Sequence, residues 1–546
     1  MYEKKLAIRL VKLLLSFKGE IVIIIACLLI LSGINFSLPI LSQRIMDDGI
    51  IAGDYNKLVF YVSLLLFAYL IYVTVDVLKE KIRINIHGLI QEKLTKEAYA
   101  HLMHMEMNYF NNNNSTKIFS NLDDDINRIS SICDENVFFV ITQAFSIIGG
   151  IIGLCLINTR LTIIVITFIP IKTIIMKCFA KKQKKLWTEG ITFNQEYANL
   201  VGETISAIRE IKLYDLYAKK RTEILAKKAE YIRTQKKLAL LLQYNVSTDL
   251  FLVQLLISII YIAGMSYILE GRISVGSIFA FVTYSVYVTG PISSILNIGY
   301  FWSGILPSAK RFYEFIGICE EDDIANNSKV SGDIEFVGVS FGYDNDLLHD
   351  INFKIKKGEK VAIVGENGSG KTTLLNLLLR IDNPQNGEIL VGGKNIQTIA
   401  LNDYRSIFSV VSQDAVIFND SLYNNICLYK DISIKDLEKV CDKVGLSSFV
   451  TNKGFDYMLG VNGANLSGGQ KQKVLLARAL IYNKDIFVFD EATSNADETL
   501  ESQINLLINT TLREKTVIII THKKDILNSV DKVYMIKNQE IVPYEI

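Results

Sequence analysis

What this sequence lacks narrows its function before anything it contains. Its 58 lysines and arginines meet 57 aspartates and glutamates. There is no basic excess of the kind a nucleic-acid binder needs against phosphate charge, and no nucleic acid is expected as a partner. Seven cysteines stand singly (Cys27, Cys133, Cys155, Cys178, Cys319, Cys427 and Cys441), with no C-x-x-C pair among them. An odd, dispersed set suits neither a disulfide framework nor a zinc site, and reads as small apolar side chains in packed interiors. His101 and His104 share a helical face at i, i+3 without a third ligand nearby, so they read as plain cytoplasmic helix surface. A cleavable signal peptide is not expected either. Lys4, Lys5, Arg9, Lys12 and Lys18 lead into an apolar run too long for a signal's core, and no small-residue cleavage site follows.

What is there is apolar. Half of the 546 residues are hydrophobic, which is too many for an ordinary soluble chain and too long for one compact domain. Six stretches long enough to cross a bilayer fall at roughly 20–42, 58–78, 137–157, 161–178, 247–268 and 277–302. The connections alternate. Asn158-Thr159-Arg160 and Glu270-Gly271-Arg272 are short, whereas 79–136 and 179–246 are long and rich in Lys and Arg, including Lys181, Lys182, Lys184 and Lys185. Excess Lys and Arg near span ends marks the cytoplasmic side, so both termini and both long segments are expected inside a multi-pass protein of the cytoplasmic membrane. Leu89, Leu94, Tyr99 and Leu102, like Ile205, Ile208 and Ile211, recur at helical spacing, so the long segments read as membrane helices continuing into the cytoplasm. A polar stretch around 320–332 reads as a linker. After it, apolar strands at 361–365, 407–412, 486–490 and 516–520 alternate with helical stretches, as in a doubly wound α/β sheet.

One loop carries explicit chemistry. Strand Val361-Ala362-Ile363-Val364 runs into Gly365-Glu366-Asn367-Gly368-Ser369-Gly370-Lys371-Thr372 and then an apolar helix, the G-x-x-x-x-G-K-[ST] pattern in its required setting. Glycines let consecutive backbone N–H groups curl around a phosphate, and the helix N-terminus adds positive potential. Lys371 would reach the β- and γ-phosphates of ATP, and Thr372 would ligate Mg²⁺. The buried run Ile486-Phe487-Val488-Phe489 delivers Asp490 and Glu491 to the sheet's C-terminal edge. There Asp490 would hold Mg²⁺ through water, and Glu491 would polarise the attacking water.

The segment Asn465-Leu466-Ser467-Gly468-Gly469-Gln470, placed shortly before that strand, resembles the signature of ATP-binding cassette ATPases. Residues from about 333 to 540 line up with the cassette, and the membrane part resembles that of exporter-type half-transporters. The resemblance implies a multi-domain chain: a six-helix all-α transmembrane domain over 1–322, a linker over 323–332 and an α/β P-loop ATPase cassette over 333–546. It also implies roles for single residues. Tyr343 resembles the aromatic that stacks on adenine, Gln413 the glutamine that touches Mg²⁺ and reports to the membrane domain, and His522 the switch histidine on the γ-phosphate. Thr373 joins the phosphate loop, and Ser467, Gly468, Gly469 and Gln470 face a nucleotide held by another cassette. Ser494-Asn495-Ala496-Asp497 occupies the D-loop. Tyr109-Phe110 with Ile118 and Asp125, and Glu203 through Tyr214, resemble the two coupling regions. Four features depart from the pattern. Thr116 stands where many exporters have Gly, Val461 replaces the usual X-loop glutamate, Ala496 replaces a D-loop Leu, and no extended C-terminal helices are expected after Ile546.

In that family one cassette per chain implies a dimer with composite ATP sites. Because Lys371, Asp490, Glu491, Ser467, Gly468 and His522 are all present, a homodimer is expected. The expected activity is ATP-driven export through the lipid bilayer by alternating access, with lipid or drug export, import or an ATP-gated channel as alternatives. No cysteine-peptidase domain of the leader-cleaving peptide exporters is expected before the first span. Apart from Lys172, read as snorkelling to the headgroups, the spans read as nearly uncharged at their centres. Gln254, Ser258, Tyr261, Tyr284, Tyr287 and Asn297 give the last two spans a polar-aromatic face, suited either to helix–helix hydrogen bonds or to a ligand with mixed surfaces. The cargo expected on this basis is amphipathic or hydrophobic, with a modified or antimicrobial peptide ahead of lipids and drugs.

Overall fold

The computed structural model describes residues 2–113, 115–321, 330–343, 346–412, 415–490, 498–521 and 524–545. It divides into two compact units, Met1–Met103 with Ser115–Ile318, and His104–Asn114 with Cys319–Ile546.

The first unit is helical: α1 (Tyr2–Leu15), α2 (Lys18–Arg44), α3 (Tyr55–Met103), then, after a short α4 (Met107–Asn112) that belongs to the second unit, α5 (Ser115–Ser130), α6 (Glu135–Ile157), α7 (Thr159–Ser206), α8 (Ile208–Leu213), α9 (Tyr217–Leu269), α10 (Val275–Thr289) and α11 (Pro291–Ile316). Six helical stretches among the described residues are long and apolar enough to cross a membrane. In hydrocarbon every backbone polar group must be satisfied internally, and such runs therefore fold as helices. Helices α3, α7 and α9 have 49, 48 and 53 residues. At about 1.5 Å per residue they are more than twice the length a bilayer core requires, so their Lys-rich ends project beyond it. Asn158 starts α7 by accepting from Arg160 N at 3.0 Å and Leu161 N at 3.1 Å.

Close approach holds the spans together. A Cβ on Gly153 of α6 would meet the Tyr284 ring of α10 at 2.6 Å, so only glycine lets these helices come this near. At the other end of α10, Asp47, in the π-helical turn Ile45–Ile51, accepts from Gly276 N at 2.9 Å and from Ser274 Oγ. Gln43 Nε2 donates to Ser277 Oγ at 2.9 Å beside it. The end of the first span thus satisfies one open N–H at the start of the last, that of Gly276, while Ser274 Oγ accepts from Ser277 N.

Several expectations are corrected here. Lys172 does not snorkel. Its side chain is fully buried and its ammonium lies 2.8 Å from Asp249 Oδ1 on α9, in an ion pair off the hydrogen-bonding direction. Charge gathers at the ends of the apolar runs, with Asp249 near the start of the fifth run on α9, Asp76 near the end of the second on α3, and Lys79 and Glu80 just beyond it. His101 is not surface. It is 6% exposed, its Nε2 sits 3.0 Å from Phe315 O, and its ring meets Phe315 edge-on. Tyr284 offers no face to a ligand, because it is buried with its hydroxyl donating to Phe36 O. Cys27, Cys133, Cys427 and Cys441 are buried as read, but Cys155, Cys178 and Cys319 are exposed.

The second unit holds two sheets built from β1 (Ile334–Gly342), β2 (Asp346–Ile355), β3 (Lys360–Gly365), β4 (Asn386–Val391), β5 (Lys394–Asn395), β6 (Phe408–Ser412), β7 (Ile486–Asp490), β8 (Thr516–Ile520), β9 (Lys532–Lys537) and β10 (Glu540–Pro543). A four-stranded antiparallel sheet runs β2-β1-β4-β5, and a six-stranded sheet runs β10-β9-β3-β8-β7-β6, parallel from β9 to β6. Strands β7 and β8 are buried on both faces, which explains their unbroken apolar sequence. Ahead of the cassette, Arg405 grips the Glu321 carboxylate with two bonds of 3.0 Å, and Glu321 N donates to His104 O at 2.7 Å. Most of the linker expected at 323–332 lies outside the described residues.

Candidate functional site

Strand order decides what meets at the C-terminal edge of the six-stranded sheet. Ser412, Asp490 and Ile520 pair across β6, β7 and β8, and Ile363 of β3 pairs with Ile520. Four strands thus end nearly level. The loop Gly365–Gly370 leaves β3, while Gln413, Glu491 and His522 are the residues that follow the ends of β6, β7 and, one residue on, β8. These three, with the D-loop Ser494–Asp497, lie outside the described residues, as do the side chains of Thr116 and Asn297.

The loop itself is built for an anion. Gly370 takes φ +101°, a conformation L side chains resist, and from it α12 (Lys371–Leu378) begins. Thr373, Leu374, Leu375, Leu377 and Leu378 are buried and hold the helix against the sheet, while Thr372 is exposed at its first turn. The Lys371 side chain folds back, donating from Nζ to Gly365 O and Glu366 O at 2.9 Å each, and so keeps a cation over the loop. Ser369 Oγ is enclosed with no hydrogen-bond partner among the described residues. An orphaned hydroxyl, a buried ammonium and a helix N-terminus converge where phosphate oxygens would satisfy all three. Thr372 and Asp490 offer hard oxygen donors of the kind Mg²⁺ takes. Glu366, Asn367 and Gly368 are exposed along a cavity of about 790 Å³.

Tyr343 is half-exposed beyond β1 and donates its hydroxyl to Asp382 Oδ2 at 2.7 Å. Burial, then the Asp382 carboxylate, raise its phenol above the ordinary value, so it stays a donor and its ring stays placed. The sequence pattern around Asp382 gave no sign of this role. At the signature, Ser467 caps the helix Gly468–Leu480. Its Oγ accepts from Gln470 N at 3.3 Å, and Gln470 Oε1 accepts from Ser467 N at 2.9 Å, a reciprocal capping box. Among the described residues, nothing lies within 4 Å of a Cβ built on Gly468 or Gly469. Packing among the described residues does not call for glycine at either position. Val461 is 72% exposed and brings no charge to its surface.

The membrane unit has its own cavity, about 670 Å³, bordered by Asn35, Tyr72, Thr142, Gln143 and Tyr287. Asp76, Lys79 and Glu80 stand at its wall. Lys79 Nζ lies 2.6 Å from Asp76 Oδ1 and 3.2 Å from Glu80 Oε1, and Arg83 Nε donates to Glu80 Oε2 at 2.7 Å. Phe138 and Phe139 add ring surface. Paired charge and aromatic surface therefore share one wall.

Comparison with known proteins agrees with these two parts. Residues 21–292 match the ABC transporter transmembrane region, and residues 348–494 match the ABC transporter family model. An uncharacterized ABC transporter ATP-binding protein of Bacillus subtilis is 27% identical over 96% of this chain and 88% of its own length. An ATP-dependent lipid A-core flippase of Syntrophus aciditrophicus is 25% identical over 98% of this chain and 90% of its own. In fold, the chain is similar to a bacterial Atm1-family ABC exporter solved with ATP bound, at a TM-score of 0.82 and 20% identity over 96% of this chain and 95% of that one. Six membrane helices followed by a nucleotide-binding cassette, matched in order along the chain, place it in the ABC transporters: it belongs to that family, as a multi-pass membrane ATPase of exporter-type architecture that couples ATP hydrolysis to transport.

Proposed function

We propose that two copies of this chain form a homodimeric exporter that moves an amphipathic substrate outward across the cytoplasmic membrane. The cavity beside Asp76, Lys79 and Glu80 carries this reading, because paired charge next to aromatic rings suits a molecule with a polar head and an apolar body. A lipid-like substrate stands ahead of a peptide, supported by the chain's likeness to proteins named lipid A-core flippases. The peptide expectation loses one of its supports, since Tyr284 is buried.

The cassette residues divide the chemistry. Backbone N–H groups from Glu366 to Thr373 cradle the phosphates, Lys371 draws on the γ-phosphate, and the Tyr343 ring stacks on the adenine. Thr372, Gln413 and Asp490 would hold Mg²⁺, which would supply positive charge against the phosphates. Glu491 polarises the attacking water, and His522 contacts the γ-phosphate. Ser467, Gly468, Gly469 and Gln470 of one copy close over the nucleotide of the other. The space left around Gly468 and Gly469 by the described residues supports this, because a close approach from outside the chain explains glycines that packing among those residues does not. In this reading the membrane domain spans 1–322, the linker 323–332 and the cassette 333–546. Both termini lie on the cytoplasmic side, as the Lys and Arg distribution supports.

The test is ATPase activity of the reconstituted protein against a panel of phospholipids, acylated saccharides, amphipathic peptides and small hydrophilic solutes. Stimulation by the lipid-like members, followed by their saturable ATP-dependent movement, is expected. Stimulation confined to hydrophilic solutes would overturn the amphipathic reading, and stimulation confined to peptides would restore the peptide one.

A further inference from the structure

Beyond the cavity, a second groove runs between α7 and α9. It encloses about 420 Å³ and is lined by Lys182, Lys185, Leu186, Lys237, Leu240 and Tyr244, among others. Its floor is apolar. Leu186 is half-buried, while Leu240 and Tyr244 are exposed at 57% and 63%. Its rim is cationic, and Lys181, Lys184 and Lys236 extend the charge on either side. Among the described residues Glu189 is the only acidic one lining the groove, 3.9 Å from Lys185. Among the described residues, Lys182 and Lys237 make no ion pair.

Position along the helices fixes the level of this groove. The apolar runs end at 178 on α7 and begin at 247 on α9. Lys182 and Tyr244 therefore lie within about 6 Å of those ends, at the depth of the headgroups. Lys185 and Lys237 sit one to two turns further out, within reach of headgroup phosphates through their long stems. Trp187, 48% exposed, and Tyr244 are ring types that settle at this interface. An exposed apolar floor beside three lysines at headgroup depth, one of them with only a 3.9 Å ion pair to Glu189, fits an acyl chain below and a phosphate above.

We propose that this groove binds one anionic phospholipid, its phosphate seated among Lys182, Lys185 and Lys237 and an acyl chain lying along Leu240 and Tyr244. The site is separate from the transport cavity, and its occupant is a resident of the surrounding leaflet rather than cargo. Holding lipid between α7 and α9 would make the pairing of these two helices sensitive to the charge of the membrane.

The experiment uses the full chain in nanodiscs of phosphatidylcholine alone or mixed with phosphatidylglycerol, with retained lipid counted by native mass spectrometry after gentle delipidation. Preferential retention of phosphatidylglycerol, weakened by salt, is expected. Lys182→Ala, Lys185→Ala and Lys237→Ala should each lower it roughly fivefold, and the three arginine replacements should keep it. Melting temperature separates a binding defect from misfolding, and the phosphatidylglycerol preference of the unaltered chain needs no variant at all. Equal retention of phosphatidylcholine, or retention unchanged in the triple alanine variant, would overturn the site. Inorganic phosphate binding as tightly as the lipid would also overturn it, as a free-phosphate site.

Discussion

Lys172 of α7 and Asp249 of α9 meet at 2.8 Å inside the membrane unit, and Ser293 of α11 donates to the same Asp249 oxygen at 2.7 Å. Three helices are thus joined by one carboxylate. Lys172 is wholly buried, so its charge depends on the Asp249 carboxylate beside it.

Removing one partner should therefore cost more than removing both. Asp249→Asn alone is expected to destabilise the membrane unit by about 3–5 kcal/mol, because the fully buried Lys172 charge is left without its counter-ion, and Lys172→Met by less, because Asp249 is only half-buried and keeps its bond from Ser293. The double variant Lys172→Met/Asp249→Asn should recover most of that loss. Thermal unfolding of the four proteins in one detergent measures the cycle; additive losses would show that the pair is not coupled.

The nucleotide chemistry makes a sharper separation. Glu491→Gln should bind ATP normally and hydrolyse it more slowly by a factor on the order of 10² or more, since phosphate and Mg²⁺ contacts survive while the water loses its polarising group. Lys371→Ala should weaken ATP binding itself, because it removes the ammonium held over the loop carbonyls. Titration with a fluorescent ATP analogue and a phosphate-release assay read the two effects independently.

Tyr343 offers a test of ring against hydroxyl. Tyr343→Phe keeps the ring but loses the bond to Asp382, and should hold nucleotide affinity within roughly threefold. Tyr343→Ala should lose about tenfold. Equal affinity in the alanine variant would exclude adenine stacking at this position.

Ser467 carries two roles that can be pulled apart. Ser467→Ala removes the cap on the helix Gly468–Leu480 and should cost about 1 kcal/mol of cassette stability. Ser467→Asn keeps an acceptor at the cap and should melt near the unaltered protein, yet hydrolyse ATP poorly if the serine also closes a composite site. Calorimetry and ATPase rate on the same samples decide it. An asparagine variant with full activity would leave Ser467 a cap and nothing more.

These residues also show where sequence is informative. The spans, the core strands β7 and β8 and the loop Gly365–Thr372 were legible because each is fixed by local physics: apolar length, burial on two faces, and glycines before a helix. Lys172 was misread because its partner lies on another helix far along the chain, and only packing of α7 on α9 brings them together. His101 and Tyr284 failed for the same reason. Helical periodicity says which residues share a face, but Phe315 and Phe36 decide which face is covered. Asp249 had a usable signal, a single carboxylate at the edge of the fifth apolar run.

The most direct measurement is transport by the purified chain in sealed vesicles with the cassettes outside, supplied with ATP and Mg²⁺ and offered a fluorescent phospholipid or amphipathic peptide that stimulates hydrolysis. Outward export by a homodimer predicts ATP-dependent accumulation in the lumen or inner leaflet by the unaltered protein, and none by Glu491→Gln. Accumulation that proceeds equally without ATP, or ATP-dependent depletion from the lumen, would contradict it.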